Sequence, residues 1–598
     1  MGRVPKVLIT ETVLRDAQQS LVQGRLKLQH VLPIAETLDR IGYEALDAWG
    51  GATFAASLRL LQEDPWHRLR AIKASIVRTP LQMLIRGQTL ISNKHQPDDV
   101  VRAFIEQAVQ DGIAVIRMFD PLNDLRNLEV PIEAARRAGA RVIGALVYSP
   151  SPGQDQARMV TWAGRLKKLG CHVIGLEDVA GILDPSAARR LVTELVKTVG
   201  LPVSIHSHSS TALAPITYFA AAEAGATGID TALSAMAWGS SQPATETMVA
   251  AFRGSPHETG LDLGLVGQAN RYFDELHDEY AEFQDPIAFR NDIHILDHQL
   301  PAPVLADLIK TLRERNALDR YEHLLQELVN VRQEMGYPPL AAPINQIAAR
   351  QALANTLGEK RYQSIEQPFR DYIKGLYGAP PHAVDPEVRR RALGSSEPIT
   401  MRPADLLEPA MERARKAMRR QGLTPTGPDQ VLTYVLFPEE APGILRPAPR
   451  AEPAPAAAVP RQAEESPRSS PAAPAVAASP EVSGMREFTV EVDGETYRVK
   501  VKGEGVGVRA SSEAQVASGP PPAKSGVTDG AIQAPMQGMV VKVKVAAGDR
   551  VKLGDVVVVL EAMKMQNDIV ATVAGTVREI YAREGSIVAP NEVLMTIG

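Results

Sequence analysis

Two histidines stand two residues apart in the run Ile205-His206-Ser207-His208. In an extended strand, residues i and i+2 point the same way, so both imidazoles face one side of the chain. Two imidazoles joined by a carboxylate suit Zn²⁺, Mn²⁺ or Co²⁺ and leave coordination positions open for a substrate. The candidate carboxylates are Asp16, in Leu14-Arg15-Asp16, and the pair Glu177-Asp178. The same histidines would also serve as inert polar side chains at a strand end, hydrogen-bonded to neighbours. Arg86 follows the apolar run Leu81–Ile85. A planar guanidinium there suits two-point capture of a substrate carboxylate, or an ion pair with Asp16 or Asp120. Much later, Lys564 lies between Met563 and Met565. Methionines exposed at a turn are unusual, and the lysine between them is placed to carry a covalently attached cofactor.

The first group of residues must be positioned by a scaffold. Strand-like apolar runs fall at 6–12, 43–49, 81–87, 114–120, 141–149, 173–178, 202–208 and 228–234, with amphipathic segments such as 98–112 and 185–200 between them. Eight strands alternating with helices over about 250 residues predict an α/β fold, a (β/α)8 TIM barrel, spanning 1–290. An open doubly wound sheet is the rival, but no glycine-rich phosphate loop follows the first strand. Barrel chemistry collects at the C-terminal strand ends. Asp16, Trp49-Gly50-Gly51, Arg86, Asp120, Glu177-Asp178 and His206-Ser207-His208 all fall there. Residues 291–445 read as helices without strands and predict an α-helical domain capping the barrel.

Composition then changes abruptly. From Pro447 to Ser483, 21 of 37 residues are Pro or Ala, and Leu, Ile, Phe and Met are missing. Such a stretch buries too little apolar surface to fold, so 446–484 is expected to be an extended linker. A short β segment at 485–503 alternates apolar residues around an Asp493-Gly494 turn. A second linker covers 504–528. The final domain, 529–598, holds a repeat: Ala534, Gly538, Val540, Gly548, Val551 and Val556 recur 37 residues later as Ala571, Gly575, Val577, Gly585, Val588 and Val593. Two similar β halves predict a flattened all-β barrel with approximate two-fold symmetry and Lys564 at a hairpin tip.

Composition narrows the function. Lys and Arg number 65 against 70 Asp and Glu, a net charge of −5. That balance argues against a nucleic-acid binder. With one cysteine, Cys171, a disulfide framework is excluded and a reducing, cytoplasmic location expected. No apolar run approaches the ~18 residues of a membrane span, and the N-terminus does not read as a secretion signal.

The run Glu561-Ala562-Met563-Lys564-Met565 resembles the biotin-attachment motif of biotinyl carrier domains, which implies covalent biotin on Lys564 and a biotin protein ligase as a partner. From about Val4 to Pro438 the chain resembles the carboxyltransferase shared by pyruvate carboxylase, the oxaloacetate decarboxylase α subunit and the transcarboxylase large subunit. The resemblance rests on LRDAQQS (14–20), WGGATF (49–54), EDPWHRLR (63–70), LQMLIRG (81–87), DVAGIL (178–183), HSHSS (206–210), SSQPATET (240–247), NALDRYEHLL (316–325) and DQVLTYVLFP (429–438). It implies a divalent metal on Asp16, His206 and His208, and a 2-oxo acid, pyruvate or oxaloacetate, bound by Gln19 and Arg86. It further implies a separate biotin carboxylase or membrane decarboxylase subunit and a homo-oligomeric state.

Two positions depart from the family pattern. Glu177 stands where the family has a carbamylated lysine that ligates the metal, and a carboxylate there would ligate directly. Ala306 stands where the family has a proton-relaying Ser or Thr, and a methyl group can carry no proton. Two alternatives to carboxyl transfer therefore stay open at this point: a degenerate barrel serving as a biotin-carrier scaffold, and a barrel repurposed for another metal-dependent lyase reaction.

Overall fold

The computed structural model describes residues 6–152, 156–445, 486–492, 495–501, 531–534, 538–562, 565–584, 586–588 and 592–598. Two units divide the chain, Met1–Ala458 and Val459–Gly598. In the first, eight parallel strands close a barrel: β1 Leu8–Glu11, β2 Ala45–Gly50, β3 Leu81–Ile85, β4 Ile113–Phe119, β5 Arg141–Val147, β6 Val173–Asp178, β7 Val203–Ser207 and β8 Gly228–Thr231. Each expected strand is present, trimmed at its ends. Both faces of these strands are covered, which is why they read as nearly continuous apolar runs.

Inside the barrel, alternation sorts the residues into layers. Val115, Arg117 and Phe119 share one face of β4, and Val173 and Glu177 one face of β6. Ala45, Val115, Ile143 and Val173 form an apolar plug, and Leu84, Phe119, Ala145 and Val147 a second apolar cluster. The lumen also holds buried charge: Asp47, Arg117, Glu177 and Asp230 are all at most 2% exposed. The parallel register sets Glu177 beside His206.

Amphipathic helices form the outer layer, among them Asp98–Gln110 and Pro185–Thr198. The latter starts at Pro185, whose fixed φ suits the first turn, and is capped by the Asp184 carboxylate accepting from Ala187 N at 2.9 Å. From 291 to 445 the described elements are helical, as expected, but these helices serve two cores. Ala302–Glu314, Tyr321–Glu334 and Ile344–Leu357 pack around their own centre at Leu312, Leu328 and Ile344. Met411–Arg420 and Pro428–Leu436 return to the barrel, where Phe437 stacks on Phe54 and Trp66 Nε1 donates to Thr433 Oγ1 at 3.1 Å.

In the second unit, β9 Arg486–Val492 and β10 Glu495–Val501 form the expected hairpin, with Val492 opposite Glu495. Eight further strands follow: β11 Ala531–Gln533, β12 Gly538–Val543, β13 Arg550–Val551, β14 Val556–Ala562, β15 Met565–Val570, β16 Gly575–Ile580, β17 Ile587–Val588 and β18 Val593–Ile597. One sheet runs β11-β18-β16-β13 and the other β15-β14-β12-β17. A shift of 37 residues maps each sheet onto the other, so the repeat is the two-fold relation itself. Ala534, Val540 and Val551 share one core with their counterparts Ala571, Val577 and Val588. Pairing of Ala562 with Met565 leaves residues 563 and 564 to link β14 to β15. Lys564 and both linkers lie outside the described residues.

Candidate active site

The chain leaves β1 through Thr12 and enters a wide turn, Val13–Ala17, in which Ala17 N donates to Thr12 O five residues back. Such π-type turns recur at functional sites. This one carries Asp16 over the barrel mouth. There the Asp16 Oδ2 lies 3.1 Å from His206 Nε2 and 3.5 Å from His208 Nε2, and the two Nε2 atoms are 3.3 Å apart. The ligand atoms of the three side chains all lie within 4.8 Å of one another.

Each ligand is oriented by a second bond. His206 Nδ1 lies 2.9 Å from Asp230 Oδ2, and His208 Nδ1 donates to the Ser240 carbonyl. Both outer nitrogens therefore carry protons and both Nε2 atoms face Asp16, the arrangement a metal-binding imidazole needs. Asp16 itself accepts from Arg15 Nη1 at 2.9 Å and from Gln242 Nε2 at 2.7 Å. Burial alone would raise the Asp16 pKa, but Arg15 and the two imidazoles outweigh it and hold the carboxyl well below its usual range. Burial likewise opposes charge on His206, yet Glu177, Asp16 and Asp230 together lift its pKa to about 10. At His206 the site stabilises positive charge, whereas burial lowers the pKa of His208.

Glu177 follows a different course. It lines the cavity, but its carboxylate pairs with the Arg117 guanidinium and stands outside the Asp16–His206–His208 cluster. Gln19 also lines the cavity: Oε1 accepts from Ala52 N at 2.9 Å and Nε2 approaches Asp16 Oδ1 at 3.5 Å. Gly51 makes this possible, since at φ +56° a Cβ there would sit 3.0 Å from Gln19 Oε1 and 3.3 Å from Arg15 Nη1.

Arg86 lines the same cavity, which measures about 730 Å³. Neither Asp16 nor Asp120 pairs with it. Among the described residues its one side-chain hydrogen bond runs from Nη2 to Ile91 O at 3.0 Å, and its buried Nε has no partner. Burial and the nearby Arg15 charge pull its pKa down from 12.5 to about 10. Among the described residues no carboxylate pairs with it.

Asp120 and Asp178 are each held by two backbone N–H groups and one side chain. Asp120 accepts from Leu122 N, Asp124 N and Asn127 Nδ2, and Asp178 from Ile182 N, Leu183 N and Ser207 Oγ. Ala306 is buried on the helix Ala302–Glu314 and Asp307 is exposed, and neither lines the cavity, whereas Pro301, Pro303 and Val304 do. Arg15, Arg117, Asp230 and Gln242 complete the site without having been singled out. Of these, Arg15, inside the run 14–20, and Gln242, inside the run 240–247, carried a signal in the sequence.

The chain matches three family models: "HMGL-like" over residues 6–272, "Conserved carboxylase domain" over 295–501 and "Biotin-requiring enzyme" over 530–597. It is 43% identical to a pyruvate carboxylase subunit of Methanothermobacter thermautotrophicus, covering 94% of each chain. It is 34% identical to the 2-oxoglutarate carboxylase large subunit of Hydrogenobacter thermophilus, over 99% of this chain and 95% of that one. The carboxyl transferase domain of Rhizobium etli pyruvate carboxylase, solved with pyruvate, superposes with a TM-score of 0.71 at 29% identity, covering 74% of this chain and 76% of that one. The chain therefore belongs to the biotin-dependent carboxyltransferase family, joining a carboxyltransferase barrel to a biotin carrier domain in one polypeptide.

Proposed function

We propose that the barrel mouth exchanges a carboxyl group between biotin on Lys564 and a 2-oxo acid, interconverting pyruvate and oxaloacetate. The carrying observation is Arg86, a part-buried guanidinium with no carboxylate partner among the described residues, in the same cavity as Asp16, His206 and His208.

A divalent metal fits this chain's own charges. Four buried carboxylates, Asp16, Asp47, Glu177 and Asp230, surround two buried guanidiniums, Arg15 and Arg117. With His206 neutral, as a metal ligand is, and with Arg86 paired to a substrate carboxylate, two negative charges are left over, and a dication balances them. Asp16, His206 and His208 would hold it, and when bound it supplies Lewis-acid stabilisation of an enolate oxygen. The other steps belong to side chains. Arg86 pairs with the substrate carboxylate and recovers the energy that burial costs its charge. Gln19 lines the cavity, pinned by Ala52 N at Oε1 and by Asp16 at Nε2, and the second N–H of its amide orients the substrate oxygens. The walls contributed by Phe119 and Val304 limit water around the reacting carbon.

Biotin attached to Lys564 would carry the carboxyl group, after modification by a biotin protein ligase. A separate biotin carboxylase would charge it in the ATP-driven direction. Among the described residues no helix is long and apolar enough to cross a membrane. Oxaloacetate turnover by the biotinylated chain tests the proposal. Pyruvate release that disappears in Lys564→Ala supports it, and release that persists unchanged means the arm takes no part.

A further inference from the structure

We infer that Asp230, braced by Arg117, positions His206 for the metal, and that Glu177 serves this brace in place of ligating; the inference rests on the metal reading above. His206 Nδ1 lies 2.9 Å from Asp230 Oδ2, and the same oxygen lies 3.3 Å from Arg117 Nη1. Arg117 Nε donates to Glu177, and its Nη1 also reaches Ser204 Oγ at 3.2 Å. The four charged or ring side chains come from β4, β6, β7 and β8 and are at most 3% exposed.

The physical logic is one of orientation. An imidazole turns about its bond to Cβ unless something holds its outer nitrogen. A carboxylate at Nδ1–H fixes both the ring plane and the tautomer, and it makes Nε2 a better electron donor. Asp230 can do this only while its own position is fixed, and Arg117 fixes it through a buried ion pair. Arg117 in turn is shared with Glu177, whose carboxylate stays on the guanidinium and outside the cluster of three ligands. His208 is held independently, by the Ser240 carbonyl. Asp230 and Arg117 are thus positioning residues that act through one ligand and not the other.

The test uses the full chain loaded with Co²⁺, whose paramagnetism moves the ring N–H signals of bound histidines far outside the ordinary proton NMR range. Wild type should show two exchangeable signals, from His206 and His208. Asp230→Asn should move or remove one of them, leave the other in place, and weaken Co²⁺ binding by about 10–100-fold. Glu177→Gln should keep the visible absorption of a Co²⁺ site with unchanged coordination number. Should Asp230→Asn not fold, Arg117→Lys gives the same reading, because it breaks the brace on the other side. Unchanged signals and affinity in Asp230→Asn, or a changed coordination number in Glu177→Gln, would overturn the inference. A wild type that binds no Co²⁺ would instead overturn the metal reading beneath it.

Discussion

Replacing Arg86 by Met should strengthen the empty protein and weaken its grip on substrate. The guanidinium is held in the cavity wall with one hydrogen bond, from Nη2 to Ile91 O, and no carboxylate partner among the described residues. Burial and Arg15 lower its pKa from 12.5 to about 10. At 1.36 kcal/mol per pH unit, this costs the ligand-free fold about 3 kcal/mol, which a bound carboxylate would recover. Met keeps the apolar stem and removes the charge. Affinity for a 2-oxo acid should therefore fall by about 10²-fold, since each 1.4 kcal/mol is tenfold. The ligand-free melting temperature should rise by a few degrees, as removal of strain from a binding site does. Calorimetric titration of pyruvate into metal-loaded wild type and Arg86→Met gives the first number, and scanning calorimetry of the ligand-free proteins the second. A variant that melts lower than wild type while binding pyruvate equally well would make Arg86 a structural residue and refute the reasoning.

Elemental analysis should find about one divalent metal per wild-type chain and much less in the His206→Ala/His208→Ala double variant; equal contents would mean that the histidines are merely structural. Streptavidin should recognise the chain coexpressed with a biotin ligase and fail to recognise Lys564→Ala, whereas an unmodified wild type would remove the carrier role. Metal-free protein should lose stability as pH rises from about 6.5 to 8. Burial lifts Asp47 to about 6, Asp120 to about 7 and Glu11 to about 8. The lowered pKa values of His95, His208 and His298 oppose this below about pH 6.5; above it those rings are neutral folded and unfolded alike, the folded chain binds more protons than the unfolded one, whose carboxyls titrate near 4, and stability must fall. His206, lifted to about 10, acts in the same direction. A melting temperature that climbs between about pH 6.5 and 8 would contradict these assignments.

The barrel was legible because its strands, covered on both faces, write themselves as apolar runs at regular intervals. The His206–His208 pair was legible because a spacing of two means a shared face, and Asp16 because it follows the first strand. What stayed hidden were partnerships between distant residues. A single Arg117 or Asp230 inside an apolar strand carries no mark of the side chain it meets across the lumen. Asp120 and Asp178 sit at strand ends like ligands, but whether a carboxylate faces the mouth or caps its own loop depends on backbone N–H groups that spacing does not reveal. Glu177 occupies a ligand position in its motif, yet its carboxylate is drawn to Arg117, 60 residues away along the chain. The helices beyond residue 290 were recognisable as helices, but not their division between two cores.

Carboxyl transfer between the arm and the 2-oxo acid is the central claim, and it can be observed with this chain alone. Biotinylated, metal-loaded protein would be mixed with oxaloacetate labelled at its C-4 carboxyl, quenched by methylation, and the carrier domain analysed for label. The account requires label on the biotin of Lys564 in wild type and its loss, at equal biotin content, in Arg86→Met. Labelled biotin that forms equally well in Arg86→Met, or no labelled biotin in a wild type whose metal and biotin are both confirmed, would contradict it.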